Sequence, residues 1–187
     1  MNLILASQSP RRRKLLADLG FTFETFEPNI DETLDLNIID TSILTIAKAK
    51  ATTARQRFDQ GLAIGCDTIV QLGSTCFGKP SDRADARHML EKLSGQTHIV
   101  KSALVLLDLS KGNYFSDLDQ TEVTFRKLGA AEIEAYLDGP EPYDKAGAYA
   151  LQGQGGVLIE KINGCINNVI GFPVTLFLKL KQAAEGC

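Results

Sequence analysis

Two carboxylates and a small set of cations are the residues in this chain whose types and spacing could do chemistry. Asp67 stands in the middle of an apolar run, Leu62-Ala-Ile-Gly-Cys-Asp-Thr-Ile-Val70. Taking an unpaired carboxylate out of water costs several kcal/mol, so this acid must lie at a strand end or bulge, pair with a cation, or hold a metal. Gly65, two residues earlier, allows a local break in the strand. A second acid, Glu32, follows Asp31 at the end of the loop Pro28-Asn-Ile-Asp-Glu. Loop acids are commonly just solvated. The cations are Arg11, Arg12, Arg13 and Lys14 in one run, then Lys50 and Lys79. Carboxylates with cations suit metal-assisted cleavage of a phosphoanhydride: acids hold Mg²⁺ and take a proton from water, and cations neutralise the phosphates. Neither His88 nor His98 has a companion at ligand spacing, and no Ser–His or Cys–His arrangement competes as a nucleophile.

The elements that must carry these residues are legible in order. Leu3 to Ala6 is a short buried strand. Ser7, Gln8 and Ser9 make a polar corner, and Ser9-Pro10 reads as an N-cap with proline at the first helical position. Leu15, Leu16 and Leu19 give that helix an apolar face, and Gly20 stops it. The basic run therefore falls in the helix's first turns, where the dipole disfavours each cation by a few tenths to about 1 kcal/mol. An anion against the exposed N–H groups and guanidinium forks would offset this. A solvated basic face that tolerates the cost is the other reading. Phe21 to Phe26 alternates as a second strand.

Ser42 to Phe58 has helical period, with Ile43, Ile46, Ala47, Ala51, Ala54 and Phe58 on one stripe and Lys50 inside it. A lysine there either snorkels outward or reaches a partner in a cleft. Gly73 to Lys79 matches the G-x-x-x-x-G-K core of a phosphate loop, but Pro80 replaces the required Ser or Thr and lacks an N–H, so the match is rejected. A capped helix follows over Ser81–Leu93, with Ala86, Met89, Leu90 and Leu93 inward. Strands at Thr97–Leu109 and Tyr114–Arg126 form a hairpin, and Ala130–Leu137 is a short helix. The segment from Gly139 to Gly156 carries glycines at 139, 147, 153, 155 and 156. These let backbone approach a ligand, although a flexible surface loop has the same composition. Val157–Ile162, Asn163-Gly164 and Cys165–Ile166 read as a tight hairpin. Pro173 opens a last helix with Leu176, Phe177 and Leu180 inward.

Composition bounds the rest. The 187 residues are 44% apolar and 23% charged, which fits one soluble domain over residues 1–187. A net charge of −3 and a pI near 5.4 argue against nucleic-acid binding through overall charge, so any anion site is local. No signal peptide is apparent, and runs such as Ala103–Leu107 are too short to cross a membrane. Cys66, Cys76, Cys165 and Cys187 show no C-x-x-C spacing, and read as reduced thiols of a cytoplasmic protein without a zinc site.

Together the motifs resemble the Maf family of nucleotide pyrophosphatases. They are LASQSPRRRKLL at the start, DE at 31–32, AKAKA at 47–51, GCDTIV at 65–70, GKPSD at 78–82, EPYDKAGAYALQG at 141–153 and INGCINNVIGFPV at 162–174. The resemblance implies a two-lobed α/β fold with a long mixed β-sheet and a central cleft, similar to the inosine-triphosphate pyrophosphatases. It also implies hydrolysis of nucleoside triphosphates to monophosphate and pyrophosphate with Mg²⁺ or Mn²⁺. Asp67 matches the family's proton acceptor, and Ser7, Arg12, Arg13, Glu32, Lys50 and Lys79 match its phosphate- and metal-handling positions. Arg11, Thr68 and Gln152 match three positions that separate subfamilies, here in the pattern of the dTTP/UTP class rather than the 7-methyl-GTP class. The expected partner is the nucleotide alone, with neither nucleic acid nor membrane, and a homodimer is compatible. The competing readings, besides a 7-methyl-GTP-type pyrophosphatase, are a nucleotide-binding regulator of division or septation, and a nucleic-acid binder using the basic helix. The former predicts tight binding without turnover, and the latter a steep salt dependence.

Overall fold

The computed structural model describes residues 1–186; Cys187, one of the four expected thiols, lies outside the described residues. Its core element is a seven-stranded mixed sheet. The strands are β1 (Leu3–Ala6), β2 (Phe23–Phe26), β3 (Leu62–Leu72), β4 (Thr75–Phe77), β5 (Thr97–Asp108), β6 (Tyr114–Phe125) and β7 (Ile159–Asn163). Their order is β2-β1-β3-β5-β6-β7, with β4 paired to β3. β1 runs parallel to β2 and to β3, with Ala6 opposite both Phe26 and Gly65, whereas β4 and β7 are antiparallel to their neighbours. The helices are α1 (Pro10–Asp18), α2 (Ile39–Thr52), α3 (Arg83–Leu93), α4 (Ala130–Leu137), α5 (Ile166–Ile170) and α6 (Val174–Glu185). This is the mixed α/β class expected. Among the described residues no helix is long and apolar enough to cross a membrane.

The chain divides into two compact units. The first holds residues up to Asp67, Ser102–Asp119 and the chain from Gly171 onward; the second holds Thr68–Lys101 and Gln120–Ile170. In the first, Leu3, Leu5, Leu62, Ile64, Leu104 and Leu106 of the sheet pack with Leu16 of α1 and with Val174, Phe177 and Leu180 of α6. In the second, Ala86, Met89, Leu90 and Leu93 of α3 pack with Val100, Val123, Phe125, Ile133 and Leu137. All four inward residues expected for α3 are buried.

Several boundaries differ from expectation, each for a local reason. α1 ends in a Schellman motif: Gly20, at φ +80°, donates its N–H to Ala17, and Phe21 donates to Leu16. Phe21 is thereby committed to the cap and joins the core edge-on to Phe177, so β2 starts only at Phe23. Leu19, assigned to the apolar face, is exposed. α2 starts at Ile39 and gives way to a 3₁₀ turn, Thr53–Gln56, so the expected single helix to Phe58 is two pieces. The rejected phosphate loop is a β-hairpin, with Leu72 paired to Thr75. The expected hairpin at residues 157–166 does not form. Gly153–Leu158 is a 3₁₀ turn, β7 pairs with β6 instead, and Asn163-Gly164 leads into α5. Thr121 redirects the chain there: its Oγ accepts from Cys165 N–H at 3.1 Å and from buried Asn168 Nδ2 at 3.1 Å, whose amide also donates to Val100 O.

Candidate active site

Asp67 lies in unbroken strand, not at a break. Gly65 serves a different purpose: a Cβ there would stand 2.0 Å from Ala47 O and 2.7 Å from Ala51 N. The missing side chain lets α2 lie directly on β3, and that close approach brings Lys50 to Asp67. Lys50 is buried, so its position on the apolar stripe is resolved by a partner and not by snorkelling. Its Nζ donates to Asp67 Oδ1 at 2.8 Å and contacts Glu32 Oε2 at 3.0 Å. The Asp67 side chain is 12% exposed and that of Glu32 50%, so one carboxylate is nearly enclosed and the other faces water. Asp31 is spent locally: its Oδ1 accepts from Thr33 Oγ–H and N–H, which lowers its pKa and leaves Glu32 as the acid that reaches Lys50.

The polar corner between β1 and α1 organises the second group. Ser9 caps α1, its Oγ accepting from Arg12 N–H at 3.5 Å, and its own N–H donates to Ser7 Oγ at 3.2 Å. Ser7 is buried and its N–H donates to Phe26 O at 3.1 Å, beyond the last β1–β2 pair. Arg12 turns inward. Its Nη1 donates to Cys66 O at 2.8 Å and to Ser7 Oγ at 3.3 Å, and its Nε donates to Gly171 O at 2.9 Å. β1 stops pairing at Ala6 opposite Gly65, so the guanidinium takes up the next carbonyl of β3, the one directly before Asp67. Arg11 is half-buried and Arg13 exposed; successive residues on a helix point about 100° apart, so three arginines cannot share one aim.

The structure thus brings Ser7, Arg12, Glu32, Lys50 and Asp67 of the first unit into one constellation. Thr68, half-buried, follows Asp67 on β3. Lys79 and Gln152 belong to the second unit, and both are exposed. Gln152 sits in extended backbone (φ −82°, ψ 143°) beside the 3₁₀ turn Gly153–Leu158. That region is an ordered scaffold built on Glu141, a residue sequence reasoning did not single out. Glu141 accepts from Tyr136 Oη–H at 3.1 Å, Gln154 N–H at 3.1 Å and Gly155 N–H at 3.0 Å. Tyr136, buried and beside this carboxylate, holds its phenol well above the ordinary range. The glycines here serve the protein's own packing: a Cβ on Gly155 would lie 2.2 Å from Ala150 O, and one on Gly147 3.0 Å from Val70. The only sequence signal was their density.

Glu32 and Asp67 present hard oxygen donors to one point, at present the Lys50 ammonium. Among the described residues no three His, Cys, Asp or Glu side chains group as a metal site. Two carboxylates fit a small divalent cation that fills its octahedron with phosphate oxygens and water, as Mg²⁺ does, and do not fit an all-protein cage.

Residues 2–184 match the family model described as Maf-like protein. A dTTP/UTP pyrophosphatase of Desulforamulus reducens is 42% identical over 174 residues, 92% of this chain and 91% of its own. One of Bdellovibrio bacteriovorus is 41% identical, covering 95% and 96%. A Thermoanaerobacter protein of the same name is 40% identical, covering 97% and 96%. The motifs at 3–16, 65–70 and 141–153 therefore lie within one family's pattern, and this chain belongs to the Maf family.

Proposed function

We propose that residues 1–187 form one catalytic domain that hydrolyses UTP and dTTP to the monophosphate and pyrophosphate with Mg²⁺ or Mn²⁺. The observation that carries the reading is the Lys50 ammonium held between Glu32 and Asp67, in a chain whose relatives are named dTTP/UTP pyrophosphatases. Asp67 is the general base. In the nucleotide-free protein Lys50 holds and aims its Oδ1, and in the complex a carboxylate oxygen of Asp67 takes the proton from the attacking water. Arg12 ties down the Cys66 carbonyl and so fixes the backbone from which Asp67 projects. Ser7, Arg12, Arg13 and Lys79 receive the phosphates, guanidinium groups serving as planar forks and Lys79 as a point charge. Glu32 and Asp67 hold the divalent cation, which when bound polarises a phosphoryl oxygen and neutralises developing charge. The reaction belongs in the cytoplasm, where free nucleotides are the partner, and a homodimer is the assembly to test by sedimentation.

Gln152, with Arg11 and Thr68, reads the base. Uracil and thymine present a 4-carbonyl beside N3–H, and one amide supplies the matching donor and acceptor. A polar group left unpaired by cytosine costs roughly 1–3 kcal/mol, about ten- to a hundredfold in rate. The test is kcat/KM for UTP, dTTP, CTP, GTP and 7-methyl-GTP, with and without Gln152→Glu. The reading expects UTP and dTTP to lead by about that factor, and the substitution to erase the lead. Equal values for UTP and CTP would refute it, and tight binding without turnover would mark a nucleotide-binding regulator instead.

A further inference from the structure

The two carboxylate oxygens best placed to hold a divalent cation are already engaged by a cation of the protein's own. Lys50 Nζ lies 3.0 Å from Glu32 Oε2 and 2.8 Å from Asp67 Oδ1. A cation of the Mg²⁺ class binds carboxylate oxygens at about 2.0–2.1 Å, so a metal seated between these two oxygens takes the position that the ammonium holds. The ammonium is well confined. Its side chain is 6% exposed, and its helix is seated on β3 by Gly65, with Ala47 and Ala51 in contact range of that backbone. A tethered cation so placed acts at high effective concentration.

We propose that Lys50 is an internal competitor for the metal position: it occupies the carboxylate pair in the nucleotide-free protein and yields it when a triphosphate offers other oxygens to the ammonium. Metal is then taken up with nucleotide and not before it. The free protein thereby avoids holding a bare divalent cation beside its general base. This rests on the assignment of Glu32 and Asp67 as the metal ligands.

The test is titration of Mn²⁺ into the nucleotide-free full chain, reading unbound Mn²⁺ by electron paramagnetic resonance. Lys50→Met is expected to bind Mn²⁺ about ten- to a hundredfold more tightly than the unmodified protein, within the range by which one bound group commonly changes the affinity for another. Lys48→Met removes the same charge from an exposed lysine that lies over the Tyr114 ring, and is expected to change nothing. Circular dichroism checks folding, and Lys50→Gln, which keeps a polar head, is expected to move affinity in the same direction as Lys50→Met. Melting temperature gives a second readout: added Mn²⁺ is expected to stabilise Lys50→Met more than the unmodified chain. Equal or weaker Mn²⁺ binding by Lys50→Met, with Glu32→Gln weakening it in both backgrounds, would overturn the competition and leave the ligand assignment standing. No effect of Glu32→Gln or Asp67→Asn in either background would overturn the ligand assignment, and the competition with it.

Discussion

Gly65→Ala tests how fold and site depend on one missing methyl group. The new Cβ would fall 2.0 Å from Ala47 O and 2.7 Å from Ala51 N. Neither is a side-chain tip that can rotate away, so α2 must retreat from β3 by about 1.5 Å to bring the closest approach into ordinary contact. Overpacking a core costs about 1–3 kcal/mol and sometimes more, and backbone against backbone belongs at the upper end. About 3 kcal/mol corresponds to a fall in Tm of roughly 6–12 °C for a protein of this size. The retreating helix carries Lys50 away from Asp67, to which it bonds at 2.8 Å in the nucleotide-free protein, and a misplacement of about 1 Å or more of a side chain at the site costs about 10²-fold in rate. Differential scanning calorimetry and kcat for UTP with Mg²⁺ read the two effects together. Gly78→Ala is the control, because a Cβ there meets nothing within 4 Å, and its Tm is expected to stay within about 2 °C of the unmodified protein. A Gly65→Ala protein with unchanged Tm and kcat would refute the claim that close helix–strand approach positions the base.

Asp67→Asn keeps the shape of the side chain and removes its basicity, so kcat should fall about 10²–10⁴-fold while nucleotide still binds; near-full turnover would move the base role to Glu32. Glu141→Ala removes the acceptor shared by Tyr136, Gln154 and Gly155, and the UTP-to-CTP ratio of kcat/KM should narrow with little change in the Mg²⁺ requirement; an unchanged ratio would show that Glu141 does not position Gln152. His98 is buried against Phe125 and bonded to Tyr149, and burial pushes it down to about 4. The unfolded chain binds a proton near pH 6.5 that the folded chain refuses until about pH 4, so stability is lost as pH falls through that window, by at most about 3 kcal/mol. Urea midpoints from pH 7 to 4.5 should show this slope, and His98→Gln should remove most of it; an identical slope in the variant would place the acid sensitivity elsewhere.

Much of this was legible because local rules and tertiary structure agreed. Ser9-Pro10 and the inward set of α3 followed from caps and period alone, and the expected bounds of α4 match the helix. The carboxylate in an apolar strand marked Asp67 for the same reason that Lys50 marked itself: each is too costly to bury alone, and they paired with each other. What the chain alone left open was settled by distant contacts. Gly65 suggested a break and proved to be a seat for α2, which only the position of Ala47 could reveal. Asn163-Gly164 had the chemistry of a hairpin turn, but Thr121, more than forty positions earlier in the chain, captured Cys165 and Asn168. Glu141 gave no signal because one acid in a turn-rich segment resembles any solvated acid until its three donors are seen.

Release of monophosphate and pyrophosphate with Asp67 as base places the attack of water at the α-phosphorus, and UTP hydrolysis in ¹⁸O-labelled water reads that position. Phosphorus NMR of a single-turnover reaction with Mg²⁺ resolves both the products and the position of the label. The expected products are UMP carrying one ¹⁸O and unlabelled pyrophosphate, with no reaction when the divalent cation is chelated. UDP with labelled orthophosphate, or labelled pyrophosphate with unlabelled UMP, would contradict it.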